Sequence, residues 1–270
     1  MRVNGCLIVP GLPALYDSIT IKDIRYLKIP AFESRGGIFH AFTTRQNNLG
    51  AKKSGIKLPG DWNAAAESFG IGPDRLITLH QVHGETIVQI DAQGLAAGAV
   101  DPRTLEADAM VTDAPGIALG IETADCVPVL LFDPGIPAVA AVHAGWRSTV
   151  KKIVAKTAER MGVEFGSSPR RMRAAIGPAI GPECYEVDGP VMGPVRETFP
   201  FWQEIATPRS EDRWSLDLAK ANARELIRIG LPEENIHVLG LCTSCRRDLF
   251  YSFRCEGRTG RMLSVIMIKP

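Results

Sequence analysis

The sequence predicts a mixed α+β fold, and three observations carry that expectation. Strand-length apolar runs outnumber helical ones, consecutive runs lie close enough in sequence for hairpins, and helical periodicity is confined to two segments. The chain has 270 residues, of which 45% are hydrophobic and 23% charged, enough to bury a full core. Gly and Pro are spread as turn punctuation, with no repeat or low-complexity tract, so residues 1–270 read as a single domain.

Taken in order, the stretch 46–62 carries Asn47, Asn48, a lysine pair and several glycines, and reads as an exposed loop. Apolar runs at 86–90, 109–112, 117–121, 127–132 and 138–143 read as strands, most of them bounded by Gly, Pro or Asp. After Trp146 the period changes. Val150, Ile153, Val154, Thr157 and Met161 fall on one helical face, while Lys151, Lys152, Lys156, Glu159 and Arg160 fall elsewhere, and Gly162 supplies a stop. A second helix fits 216–229, ahead of Gly230 and Pro232, and two strand-like runs, 249–254 and 262–268, close the chain.

Composition bounds the function. Lys plus Arg number 31 and Asp plus Glu 30, a formal charge of +1, which leaves no basic field for a polyanion; nucleic acid is not expected as a partner. The longest charge-free apolar stretch, 135–146, is too short to cross a bilayer, and no export signal opens the chain, so a cytoplasmic protein without a membrane partner is expected. Six cysteines without an export signal make a poor disulfide framework, and reduced thiols are the default. Together with five histidines they are the scarce metal-ligating residues of this chain.

Asp133-Pro134-Gly135-Ile136-Pro137 is a turn signal between two apolar runs, which should therefore pair as an antiparallel hairpin. A turn centred between Pro134 and Gly135 sets Cys126 opposite His143 on one face, with Cβ atoms ~5 Å apart, close enough to share a zinc ion. The competing reading makes Cys126 a small buried hydrophobe and His143 a satisfied core histidine. Beyond His143 the chain passes through Gly145 into a helix start at Trp146, Arg147, Ser148 and Thr149, whose free N–H groups favour an anion such as phosphate.

A third ligand is expected from LHQVHG. His80 and His83 point to opposite faces of an extended strand, and His83, next to Gly84, is the better candidate; His80 is read as outward-facing or supporting. Two His and one Cys with an open fourth position describe a catalytic rather than a structural zinc site. Cys242-Thr-Ser-Cys245 is a competing metal motif, with His237 and Cys255 as its only nearby partners at unconventional spacing. A redox role would need a strand before it and a helix after, so it is read as structural.

These residues resemble the YfiH/YlmD-type laccase-domain or "polyphenol oxidase" family, regarded as purine nucleoside phosphorylases. The resemblance rests on HAFTTR at 40–45, LHQVHG at 79–84, ADAMVT at 107–112, TADCVPVLLFD at 123–133, AAVHAGWRS at 140–148, IGPAIGPECYEV at 176–187 and SFRCEGRTGRM at 252–262. It implies a four-layer αββα fold with mixed sheets and a mononuclear zinc site on His83, Cys126 and His143. It also implies phosphorolysis of adenosine, inosine and methylthioadenosine, with adenosine deamination as a second activity. Purine nucleoside and phosphate are then the small-molecule partners. The chain departs from the family after Arg45, where TTRQNNLGAKKSG replaces the glycine-rich TRxGGVS stretch and the SLNLG segment, and that bears on the pocket wall.

On this reading the catalytic candidates are Cys126, His143, Asp125 and Arg45, and the phosphate candidates are Arg45, Gly145, Arg147 and Ser148. Asp125 is a proton carrier or a turn residue. Tyr185 and Glu186 either line a base pocket or end a strand, and Arg254 and Arg261 either touch substrate or lie on the surface. Copper is the alternative to zinc, but a multicopper oxidase would consume roughly ten histidines, twice the supply. A cysteine hydrolase on Cys126 and His143, a copper-binding polyphenol oxidase and a non-catalytic metal-stabilised binding module remain as rivals.

Overall fold

Which side of each strand is apolar decides the layers of this protein. In the last strand Leu263, Val265 and Met267 face one core while Met262, Ile266 and Ile268 face another, and the strand at 138–144 alternates in the same way between Ala140 or Val142 and Val139 or Ala141. A strand apolar on both faces belongs to a sheet covered on both sides. The computed structural model describes residues 2–3, 6–7, 16–47, 62–96 and 101–270.

The chain runs through β1 (Asp17–Ile21), β2 (Ile24–Lys28), β3 (Ile38–Thr43), α1 (Asn63–Ser68), β4 (Leu76–Ile77), β5 (Ile87–Gln89), β6 (Ala109–Thr112), β7 (Ala118–Thr123), β8 (Val127–Asp133) and β9 (Ala138–Ala144). It continues through α2 (Trp146–Val150), α3 (Ile153–Phe165), β10 (Arg173–Ile176), α4 (Gly189–Thr198), α5 (Leu218–Arg228), β11 (Ile236–Val238), α6 (Phe253–Glu256) and β12 (Met262–Ile268). One six-stranded sheet has the order β1-β2-β3-β12-β7-β4 and the other β11-β10-β8-β9-β6-β5. Both are mixed, with parallel pairs at β4/β7, β5/β6 and β10/β11. A small three-stranded sheet (Glu186–Val187, Arg213–Leu216, Ala206–Ser210) flanks them.

The sheets stack face to face over a core that includes Phe42, Leu119, Leu130, Phe132 and Ile266. Residues of α3, α4 and α5 cover the outer face of the second sheet, and Trp62, Ala65 and Ala66 cover the outer face of the first. Three cores separate four layers, helix, sheet, sheet, helix. The mixed α+β class and the αββα arrangement therefore both stand.

Several local expectations need correction. The hairpin register is two residues further along, with His143 facing Pro128 and Ala144 facing Val127. The Asp133 carboxylate accepts the Gly135 N–H and the Arg171 guanidinium, which makes a four-residue loop where a two-residue one was expected. An even shift preserves the face, so Cys126 and His143 still point the same way. Helix 150–161 breaks at Lys152, which has φ +61°, and Gly162 lies inside α3; the stop is Gly166, at φ +73°. Leu216 ends a strand, and the second helix starts two residues later behind an Asp217 cap.

Strands β6 and β7 do not form a hairpin but enter different sheets. The run 249–254 is not a strand, because side chains take its backbone groups: Arg45 Nη1 donates to the Phe250 carbonyl, Tyr251 N–H meets Met262 Sδ, and Arg254 N–H donates to Asp125. Most of the loop expected at 46–62 lies outside the described residues; its last residue, Trp62, is buried and donates to Glu122.

Between β2 and β3 a buried polar knot makes the fold acid-sensitive. The Ile29 N–H donates to His40 Nε2, so the ring proton sits on Nδ1 and is given to Glu33, which also holds Lys28. Burial depresses the His40 pKa, whereas burial of Glu33 is outweighed by its bonds to His40 and Lys28, which pull it down to about 2. Both groups bind more protons unfolded than folded. Stability is therefore complete above about pH 6.5; His40 begins to withdraw it below that, and Glu33 withdraws up to about 3 kcal/mol between roughly pH 4.5 and 2. Urea unfolding across that window is expected to show a shallower fall of stability below about pH 4.5 in Glu33→Gln than in the wild type. An unchanged slope would refute the assignment.

Candidate metal centre

The strand order brings four distant segments to one end of the stacked sheets. His143 is the penultimate residue of β9, Cys126 immediately precedes β8, and β6 lies beside β9. Asp108, one residue ahead of β6, organises the rest. Its fully buried carboxylate accepts the N–H groups of His83 at 2.9 Å and Gly84 at 2.6 Å, and the Nδ1–H of His143 at 2.7 Å. The Asp108 carbonyl takes the His143 N–H as well. Burial alone would raise the Asp108 pKa, but those donors reverse the shift and keep it ionised. With Nδ1 committed, His143 presents Nε2 to the site.

His83 adopts φ +60°, a left-handed conformation that a non-glycine residue takes only when its surroundings enforce it. The Asp108 cradle supplies that enforcement. The turn thus falls on His83 itself and not on Gly84. Gln81 brackets the peptide of Glu122 with both ends of its amide, and His80 points outward beside Glu106, as expected.

One donor atom from each of His83, Cys126 and His143 lies within 4.8 Å of the others. Cys126 Sγ is 3.7 Å from His83 Nε2, and the two imidazole rings meet edge-on at 4.8 Å. Burial would raise the Cys126 thiol, but His143 and then His83 outweigh it and bring it down to about 6. Burial would lower His143; the Cys126 and Asp108 charges lift it to about 9. A thiolate and an imidazolium therefore face one another in the metal-free protein. Gly145 explains why the chain needs a glycine there, since a Cβ would stand 2.8 Å from His83 Cδ2 and 3.1 Å from Cys126 Sγ. Sulfur and imidazole donors, a thiol poised to deprotonate and a wall stripped of side chain all fit a borderline-soft ion. His143 is buried, Cys126 half-buried and His83 exposed, so the open side is at His83.

The surrounding wall sorts the other candidates. Asp125 has φ +92° and both carboxylate oxygens engaged, by Thr243 Oγ1 and by the Arg254 N–H, each at 2.6 Å. This is the geometry of a turn residue that fixes the next residue, Cys126. Tyr185 is half-buried, with the Arg254 guanidinium 4.9 Å over its ring; burial first, then the Cys126 charge, push its hydroxyl up to about 12. Arg254 Nη1 reaches the Glu186 carbonyl, so Glu186 meets this wall through its backbone. Arg147 is exposed, lies 4.5 Å over Trp146 and forms no ion pair among the described residues. Arg45 binds Glu256 at 2.6 Å and lies over Tyr251, while Arg261 bonds the carbonyls of its own turn. Ser148 is buried, its hydroxyl without a partner among the described residues, and Thr149 accepts from Asn222 in the core. Asp108 is the residue that sequence reasoning missed. Its signal was an acid at the head of the apolar run AMVT, where burial would demand several donors.

Residues 34–269 match the family described as multi-copper polyphenol oxidoreductase laccase. A purine nucleoside phosphorylase of Deinococcus radiodurans is 40% identical over 239 residues, covering 84% of this chain and 88% of the relative. An adenosine deaminase, RL5, from an unknown prokaryotic organism is 33% identical, covering 76% of this chain and 79% of its own. The crystal structure of YlmD from Geobacillus stearothermophilus superposes with a TM-score of 0.82 at 29% identity, over 96% of this chain and all of that one.

Proposed function

The chain belongs to the laccase-like family whose relatives include purine nucleoside phosphorylases, and from that premise we propose that it is a zinc-dependent purine nucleoside phosphorylase with adenosine deaminase as a second activity. Adenosine, inosine and S-methyl-5′-thioadenosine are its proposed substrates, each cleaved to free base and a ribose 1-phosphate. The observation that carries the reading is the convergence of His83, Cys126 and His143 around one open point, with Asp108 and Gly145 shaped to keep it so. Five histidines suffice for this centre and cannot build a multicopper one.

His83, Cys126 and His143 would hold the ion, which when bound supplies Lewis acidity and local positive charge. The protein's own groups do the rest. Arg147 is uncommitted at the rim, and the first-turn N–H groups after Gly145 lack intrahelical acceptors, so both suit a phosphate oxygen. Ser148 contributes through its N–H, its hydroxyl being buried. Among the described residues Arg45 Nε and Nη2 have no acceptor and suit the same anion, while Nη1 holds the 247–256 segment. A phosphate held there faces C1′ of a nucleoside whose base stacks toward Tyr185, and its charge stabilises the sugar cation as the base departs. Asp125, with both oxygens taken, positions Cys126 and does not carry the proton; the neutral Tyr185 hydroxyl, without a partner among the described residues, donates to the leaving base.

A second reading has one observation in its favour. Asp108, His143 and Cys126 line up as the acid, base and thiol of a cysteine hydrolase. Release of hypoxanthine from inosine separates the two. The phosphorylase requires phosphate, loses activity to a chelator, recovers it with zinc and carries about one zinc per chain beyond any other site. Phosphate-independent release, or turnover that survives chelation and disappears on alkylation, would overturn the proposal in favour of the hydrolase.

A further inference from the structure

Three cysteines that this site does not use also converge. Cys242 and Cys245 lie on one turn and Cys184 on another, 61 residues before Cys245, yet Cys184 Sγ and Cys245 Sγ are 3.3 Å apart. One sulfur from each of the three lies within 4.8 Å of the others. Sulfurs bound to one tetrahedral zinc at ~2.3 Å would be ~3.8 Å apart, inside that range. The Gly181 N–H donates to Cys242 Sγ at 3.2 Å, which ties the 181–185 turn to that sulfur. Gly181 itself admits the approach, because a Cβ there would lie 3.2 Å from Cys242 Cβ.

We propose that Cys184, Cys242 and Cys245 form a second, structural metal site for a soft divalent cation, with Zn²⁺ the natural occupant. Thiolates select such ions over hard ones. The fourth position falls to solvent or to Cys255, whose Sγ sits 2.8 Å from Ser244 Oγ on the same turn. In linear sequence the C-x-x-C motif lacked a partner; folding supplies it from the 181–185 turn.

The location gives the site its purpose. Thr243, between the two cysteines, holds Asp125 through its hydroxyl, and its N–H bonds the Ala179 carbonyl. The Ile180 N–H bonds the Asp125 carbonyl, and Cys184 directly precedes Tyr185. A cation shared by the two turns therefore fixes the residue ahead of Cys126 and the Tyr185 wall together. Coordination releases the thiol protons to solvent, so affinity falls in acid.

The test uses the full-length Cys126→Ser protein, in which the His83/His143 centre has lost its sulfur, so failure here is separable from failure of the phosphorylase reading. Reduced, metal-stripped protein is titrated with Co²⁺. One equivalent is expected to bring up sulfur-to-cobalt charge-transfer absorption in the near ultraviolet, which Zn²⁺ displaces. Adding Cys184→Ser or Cys245→Ser should abolish the band. Should either variant not fold, Zn²⁺ protection of three thiols from Ellman's reagent in Cys126→Ser answers the same question. Absence of the band, its persistence in both double variants, absence of protection, or a Cys184–Cys245 disulfide in protein trapped from a reducing cytoplasm each overturn the proposal.

Discussion

Cys126→Ala is expected to lower kcat/KM for inosine phosphorolysis by about 10³-fold or more, some 4 kcal/mol of transition-state stabilisation, while the protein stays folded. The side chain is small and half-buried, just ahead of β8 and outside the cores, so little packing goes with it. What goes is one donor of three, and with it the thiolate that holds the His143 proton in the metal-free state. The metal equivalent assigned to this centre should fall with activity, as measured by elemental analysis. A substitution that keeps a donor separates the two chemistries that Cys126 serves. Cys126→His or Cys126→Asp should retain part of the bound zinc and part of the turnover if Cys126 is a ligand. Binding metal does not restore a lost sulfur nucleophile, so full metal occupancy with no turnover in both would point back to the hydrolase.

How much of this was legible in sequence depends on the range of the forces involved. The mixed α+β class follows from the number and spacing of apolar runs, whereas the αββα layering came only with the family resemblance, and strands β8, β9 and β12 fall within a residue or two of where their apolar runs lie. Cys126 and His143 share a face because parity survives an even error in register; an odd error would have separated them. What failed was decided by distant partners. The run 249–254 has the composition of a strand, but Arg45 and Asp125 draw its backbone away from any ladder. Strands β6 and β7 are neighbours in sequence and go to opposite sheets, which no local signal records. Gly145 looked like a passage into a helix and proves to be the space that His83 and Cys126 fill. Cys184 had no visible connection to Cys245.

Asp108→Asn is expected to weaken zinc binding by about 10- to 100-fold and to lower activity in proportion. The Asp108 carboxylate serves only donors: the Val82, His83 and Gly84 N–H groups and His143 Nδ1–H. An amide of the same shape offers one acceptor and turns a second donor toward them. If the amide oxygen stays on His143 it also keeps the His83 N–H, but its NH₂ opposes the Val82 and Gly84 N–H groups, and the peptides flanking His83, with its φ of +60°, lose their acceptor. If the amide turns round, its NH₂ faces Nδ1, the imidazole proton moves to Nε2, and His143 no longer presents a lone pair to the site. Either outcome removes one ligand's geometry while leaving all three ligands in the chain. The buried mismatch should also cost on the order of 1–3 kcal/mol of stability, which a melt of the metal-free protein would register. A merely structural role for Asp108 predicts that saturating zinc restores wild-type kcat. A positioning role predicts that kcat stays low in the saturated enzyme and that its pH profile moves, because the imidazole facing the site has changed tautomer.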